Sequence, residues 1–177
     1  IFILILPIIF FNYGIFQKKN FLNKKAKENS FIIRAIGSNI DINRFYNNSQ
    51  AETVINELIS ISSPIPSKKI FFIWPEGIIP NTYQDELILY NDIINKNFNE
   101  NHFIGLGITN KKITDDSIKY YNSFSVYDNN LNLIDNYNKV KLVPFGEFIP
   151  FENFLNKIGF KTITNDFGSF TKGEFKK

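Results

Sequence analysis

Ile70-Phe71-Phe72-Ile73-Trp74-Pro75-Glu76-Gly77 is an unbroken apolar run halted by a proline and followed at once by a carboxylate. A short continuous apolar run bounded by a turn signal suits a buried strand. Pro75 cannot donate to a ladder and ends the strand. Glu76 therefore sits just past the end of a buried strand, where open α/β sheets place their sites.

The segments on either side extend the same pattern. Upstream, Ser62 to Lys69, with Pro64 and Pro66, breaks a helix predicted over Asn47 to Ser60. Ser49 and Glu52 have capping-box spacing there, and Ala51, Val54, Ile55, Leu58 and Ile59 form one apolar stripe. Before it, Phe31 to Ile36 reads as another buried strand. Downstream, Tyr83 to Asn95 is predicted helical, with Leu87, Ile88, Asn91 and Ile94 at helical spacing. Phe103 to Ile108 is a third buried strand, in which Gly105 and Gly107 permit close backbone approach. Asn122 to Tyr127 and Leu131 to Asn136 flank Asp128-Asn129-Asn130 and read as two strands joined by a tight turn. The alternation of strands and helices predicts an α/β sheet packed by helices.

Composition narrows the function. The 177 residues are 44% hydrophobic and 21% charged, which suits one globular domain. A net charge of +3, from 20 basic and 17 acidic residues spread along the chain, leaves no nucleic-acid footprint. The absence of cysteine excludes disulfides, thiolate metal sites and a thiol nucleophile within these residues. His102, the one histidine, is expected in a solvated loop, and no metal site is expected around it. Ile1 to Phe16 carries no charge but is shorter than the roughly 20 apolar residues that span a bilayer, so residues 1–16 are expected to be the C-terminal part of a transmembrane helix. Residues 17–29, with Lys18, Lys19, Lys24, Lys25 and Lys27, follow as a basic linker, placed where a membrane-surface anchor would lie. The chain starts at Ile1 and holds no methionine, and it is expected to be a piece of a longer protein.

Two stretches carry chemistry. Glu76 is delivered by a rigid proline beside Trp74. Tyr137 to Pro150, YNKVKLVPFGEFIP, places Lys139 before a loop punctuated by Pro and Gly that contains Glu147. A lysine so placed can hold a fixed positive charge against a developing oxyanion, commonly worth about two to three powers of ten in rate. Taken singly, each residue reads more readily as solvated surface.

Together, WPEG and YNKVKLVPFGEFIP resemble the nitrilase (carbon-nitrogen hydrolase) superfamily and, within it, the membrane enzymes that N-acylate apolipoproteins. The resemblance implies a nitrilase-like α-β-β-α sandwich, incomplete here, with residues 30–177 as the N-terminal portion of the catalytic domain. It implies Glu76 as general base, Lys139 as oxyanion stabiliser and Glu147 as a supporting carboxylate. The nucleophile would be a cysteine, expected beyond Lys177, and the fragment would be inactive alone. The implied reaction is two-step acyl transfer, from a phospholipid donor through a thioester to the α-amino group of a diacylglyceryl-apolipoprotein. No cofactor, metal or nucleic acid is implied. The implied location is the bacterial inner membrane, with the catalytic domain facing the periplasm. Gly77-Ile78-Ile79 departs from the small polar residue and alanine of many relatives, which alters the expected acyl pocket. Phe148, Phe151 and Phe154 are candidates to face acyl chains. The alternatives are a soluble nitrilase-type amidase, which would release its acyl group to water, and a membrane-tethered pseudoenzyme.

Overall fold

The computed structural model describes residues 2–23, 31–39, 51–114, 117–150 and 169–175. Residues 47–50 of the expected first helix, together with Phe151 and Phe154, lie outside them. The chain divides into two compact units, Ile1–Ser30 and Phe31–Lys177.

In the first unit, helix α1 (Phe2–Asn23) runs on past Phe16 and through Lys18 and Lys19. Its side chains Ile8, Phe10, Phe11 and Phe16 are exposed. Among the described residues, no helix is long and apolar enough to cross a membrane, so the expected transmembrane segment is not found there.

In the second unit, β1 (Ile32–Ala35), β2 (Ile70–Trp74), β3 (His102–Thr114), β4 (Ser117–Tyr127) and β5 (Leu133–Asn138) form one five-stranded sheet in that order. β1, β2 and β3 are parallel, whereas β3, β4 and β5 are antiparallel. Helix α2 (Ala51–Ser62) lies between β1 and β2 in the chain, and α3 (Asn91–Asn97) between β2 and β3. The expected α/β architecture is present.

The core explains the strand reading of Ile70 to Trp74. Ile70, Phe72 and Trp74 point to one face and are buried there with Ile104 and Leu106 of β3. Val54, Ile55, Leu58 and Ile59 of α2 and Ile94 of α3 complete the same cluster. Each such side chain contributes about 1.5–3 kcal/mol by leaving water. Phe98 meets Phe72 edge to face at 5.2 Å and Trp74 at 6.2 Å. The polar edges of this core are satisfied. Trp74 donates its indole N–H to Ser62 Oγ at 3.0 Å. Arg34 Nη1 donates to the carbonyls of Ser62 and Ser63 at the C-terminal end of α2 and lies over the Phe72 ring. Orphan carbonyls and the negative end of a helix dipole favour a cation at that place.

His102 corrects the solvated-loop expectation. It opens β3 opposite Ile70 and is 1% exposed, packed edge-on against Phe72 and Phe98. Both ring nitrogens have partners: Nδ1 accepts the Asn99 N–H at 3.1 Å, and Nε2 lies 3.0 Å from the Ile65 carbonyl. A buried imidazole with both nitrogens engaged is a core residue.

The predicted helix over Tyr83 to Asn95 is also revised. A 3-10 turn at Leu87–Tyr90 leads into α3. Tyr83 is instead held to the sheet, bridging Thr109, and Gln84 donates its N–H to the Thr109 carbonyl at 2.9 Å. Glu86 Oε2 accepts the Tyr83 N–H at 2.9 Å, a contact that starts the turn. β3 and β4 extend well beyond the expected spans, pairing as a two-stranded ribbon out to Thr114 and Ser117. The turn before β5 is organised by Asp128, whose Oδ1 accepts the N–H groups of Asn130 and Asn132 at 2.8 and 2.9 Å. Such a side chain mimics a backbone turn.

The opposite face of the sheet carries Phe71, Phe124 and Val126. Gly105 lies beneath them, and a Cβ there would stand 2.7 Å from Phe124 Cζ and 2.8 Å from Phe71 Cζ, so both rings would have to shift. An open apolar depression on this side is lined by Phe31, Phe71, Phe103 and Val126.

Candidate active site

β2 ends at Trp74, and the chain turns sharply through Pro75 and Glu76. Gly77 has φ +57°, a left-handed conformation that costs glycine nothing. Its N–H donates to the Gly107 carbonyl at 3.1 Å, tying the turn to β3. Glu76 is thereby pressed against Gly107, where a Cβ would stand 2.8 Å from both Cα and Cγ of Glu76. The glycine of β3 makes room for the carboxylate of β2.

Across β3, register places Asn122 of β4 opposite Thr109, two pairs beyond Gly107 and Phe124. Its side chain reaches two carboxylates. Asn122 Nδ2 donates to Glu76 Oε1 at 2.6 Å and to Glu147 Oε1 at 2.5 Å. Its main-chain carbonyl accepts the N–H of Lys139, just past β5, at 2.8 Å. Lys139 Nζ in turn donates to Glu147 Oε1 at 2.8 Å.

Glu147 is fixed from several sides. Its Oε2 accepts the Val143 N–H at 2.7 Å, and its own N–H donates to the Val143 carbonyl at 2.8 Å. Phe145, at φ +63°, tightens the same loop and donates its N–H to the Phe148 carbonyl at 2.7 Å. Residues 169–175 pass alongside. Phe170 donates to the carbonyl of Glu147, Thr171 to that of Tyr120 and Gly173 to that of Lys139, at 2.7, 2.7 and 3.0 Å.

Electrostatics follows from this packing. Burial pushes the Glu147 carboxyl up, but the hydrogen bonds from Lys139, the Val143 N–H and Asn122 outweigh it and hold the group below the usual carboxylate range. The hydrogen bond to Glu147 raises the Lys139 ammonium above its ordinary value; partial burial opposes this, and the charges of Glu147 and Glu76 assist it. Near neutrality the site thus holds a fixed cation on a saturated carboxylate. Beside them stands Glu76, exposed, with one oxygen engaged by Asn122. Such an arrangement can accept a proton at one point and stabilise an anion at another. Among the described residues, no cluster of His, Asp and Glu could hold a metal ion.

The structure therefore brings Glu76 together with Lys139 and Glu147, which lie far from it in the sequence. Sequence reasoning missed the residue that joins them. Asn122 appeared only as the start of a strand in a chain rich in asparagine. The pairing register that sets it opposite Thr109 depends on the whole ribbon, so no local signal pointed to it.

No protein-family model matches the chain. Apolipoprotein N-acyltransferase of Borreliella burgdorferi is 33% identical over 150 residues, 81% of this chain and 29% of that protein. The protein of the same name from Wigglesworthia glossinidia brevipalpis is 30% identical over 162 residues, 85% of this chain and 31% of its own length. That from Brucella suis biovar 1 is 26% identical over 133 residues, 72% and 25% respectively. Among solved structures, an N-terminal amidase with an Asn-Glu-Ala peptide aligns with a TM-score of 0.41 and 18% identity, covering 63% of this chain and 28% of that one. The C. elegans NitFhit protein also aligns at 0.41, with 16% identity over 82% of this chain and 33% of its own. Overlaps that loose add nothing to the fold read from the sheet itself. The chain spans less than a third of the curated proteins it matches, and over most of its own length it is a relative of the apolipoprotein N-acyltransferases.

Proposed function

We propose that this chain supplies the base and the oxyanion-stabilising groups of an acyltransferase site that N-acylates lipoproteins at the bacterial inner membrane, with this domain facing the periplasm. The observation that carries the reading is the junction at Asn122, where a strand-end carboxylate meets a Lys–Glu pair. The similarity to apolipoprotein N-acyltransferases supplies the substrate class.

Glu76 is the general base, Lys139 the oxyanion stabiliser and Glu147 the carboxylate that orients Lys139. The chain contains no cysteine, and the nucleophilic thiol is contributed by another part of a longer protein. In the first half-reaction Glu76 takes the thiol proton and the thiolate adds to the ester carbonyl of a phospholipid. The oxyanion that forms faces Lys139; as it collapses the acyl C–O bond breaks, the thioester remains, and the lysophospholipid alkoxide leaves with the proton from Glu76. In the second, the α-amine of a diacylglyceryl-cysteine adds to the thioester. Glu76 accepts its proton, the thiolate leaves as the amide forms, and the proton passes from Glu76 to the thiolate. Thiolate is both a good nucleophile and a good leaving group, so one residue serves both halves.

The fold proposed for the complete domain is a nitrilase-like α-β-β-α sandwich. Helices lie on one face of the sheet described above, while the other, with Phe71, Phe103 and Val126, is open and apolar, as a sheet awaiting a second layer would be.

The test is acyl transfer by the full-length protein, from phospholipid to a synthetic diacylglyceryl-cysteine lipopeptide. Glu76→Gln is expected to lower kcat by about 10²–10⁴-fold, the range for loss of a general base. Full activity of that variant sinks the reading, and release of free fatty acid without lipopeptide acylation replaces it with an amidase- or esterase-like hydrolase.

A further inference from the structure

Asn122 does more than fill the space between two carboxylates. An amide nitrogen carries two hydrogens, and both are spent here, one on Glu76 Oε1 and one on Glu147 Oε1. Only the nitrogen end can face two acceptors, so the network fixes the orientation of the amide. The backbone fixes its position, through the register with Thr109 and the hydrogen bond from Lys139 N–H.

The two carboxylates it joins end up unequal. Glu147 accepts from Lys139 and Asn122 at Oε1 and from the Val143 N–H at Oε2, which leaves it fully engaged as an anion. Glu76 accepts at Oε1 alone, and among the described residues nothing pairs with Oε2. Two carboxylate oxygens that share one donor lie within about 5 Å of each other, so their like charges repel unless something compensates. Lys139 compensates Glu147 directly, and the amide is what Glu76 receives.

We infer that Asn122 is a positioning residue that divides the two carboxylates by role, locking Glu147 as the anion under Lys139 and presenting the unengaged oxygen of Glu76 to the proton being transferred. The inference rests on the reading of Glu76 as general base. It predicts a specific chemistry at residue 122. An ionised aspartate there has no donor and adds a third negative charge, whereas a protonated one regains a single O–H donor.

The experiment measures acyl transfer by full-length Asn122→Asp, Asn122→Ser and Asn122→Ala as a function of pH, with Glu76→Gln alongside and a thermal melt for each variant. At neutral pH, Asn122→Asp is expected to fall about 10²-fold or more in kcat with little change in KM, and to recover relative to wild type as the pH drops toward the ordinary aspartate value of about 3.9, where the new carboxyl takes up its proton. Asn122→Ala is expected to lose about tenfold or more without that recovery, and Asn122→Ser, which keeps one small donor, to fall between them. A pH profile for Asn122→Asp that parallels wild type overturns the inference, as does wild-type kcat in a folded Asn122→Ala or Asn122→Ser. Wild-type activity in Glu76→Gln overturns the general-base reading beneath it, whatever the Asn122 variants do.

Discussion

On one side of β3 the sheet is parallel, and Ile70, Phe72 and Trp74 are buried beneath α2 and α3. On the other it is antiparallel, and Phe124, Leu133, Ile134 and Tyr137 are among the exposed large side chains. The two halves contribute differently to the same site. The parallel half determines where β2 must stop, and hence where Glu76 emerges. The antiparallel half contributes through register, setting Asn122 opposite Thr109 and bringing Lys139 to the carbonyl of Asn122. Burial holds one carboxylate in place, and hydrogen-bond pairing brings the other groups to it.

The contrast breaks first at phenylalanine. Phe72→Ala, in the buried half, is expected to cost about 3–5 kcal/mol through lost transfer energy and the cavity left behind. Phe124→Ala, with that side chain 37% exposed, is expected to cost well under half as much. Urea unfolding of the full chain reads both, and equal losses would erase the distinction between the halves. A smaller effect is expected at His102. His102→Ala strips partners from the Asn99 N–H and the Ile65 carbonyl, at about 1–3 kcal/mol for groups left unsatisfied in the core. A change within the error of the same titration would return His102 to the surface role first expected of it.

The smallest effect belongs to the antiparallel half and depends on pH. The Glu147 carboxyl is held low, so its contribution to stability is full above the ordinary glutamate value of about 4.3 and is lost as pH falls through its depressed folded value. Lys139 is raised, so its contribution is full below the ordinary lysine value of about 10.4 and is lost as pH rises through the folded one. Lys139 is one-third exposed, and solvent keeps the pair within about 1 kcal/mol. Lys139→Met is expected to flatten the acid limb of the unfolding midpoint. An unchanged acid limb would show that the ion pair does not couple to folding.

The reach of the sequence reading follows the same division. β2 was legible to the residue because a run of apolar side chains ended by proline has few other uses, and the apolar stripe of α2 was legible for similar reasons. The outer β3–β4 ribbon was not, since Lys111, Lys112 and Lys119 interrupt any alternation and the pairing is sustained by the partner strand. Tyr83 escaped its expected helix because a sheet edge competed for its neighbour's N–H. His102 was misjudged because the residues before it are polar, while its burial is decided by Ile65 and Phe98. Glu76, Lys139 and Glu147 could be picked out through a family resemblance and not from spacing alone. Asn122, 46 residues from Glu76, could be found only once the strands were paired.

The passage of residues 169–175 across the site bears on how this protein can evolve. Its ties to Glu147, Tyr120 and Lys139 are made by main-chain N–H and carbonyl groups, so drift in most of its side chains leaves them intact. The exceptions are specific. Proline at Phe170, Thr171 or Gly173 would delete a donor, and any side chain at Gly173 would run into the Asn138 backbone, 2.7 Å from its carbonyl carbon. Lineages are therefore free to respell much of this stretch, provided they keep the glycine, avoid proline at three places and retain at Ser169 an acceptor for the Ile149 N–H.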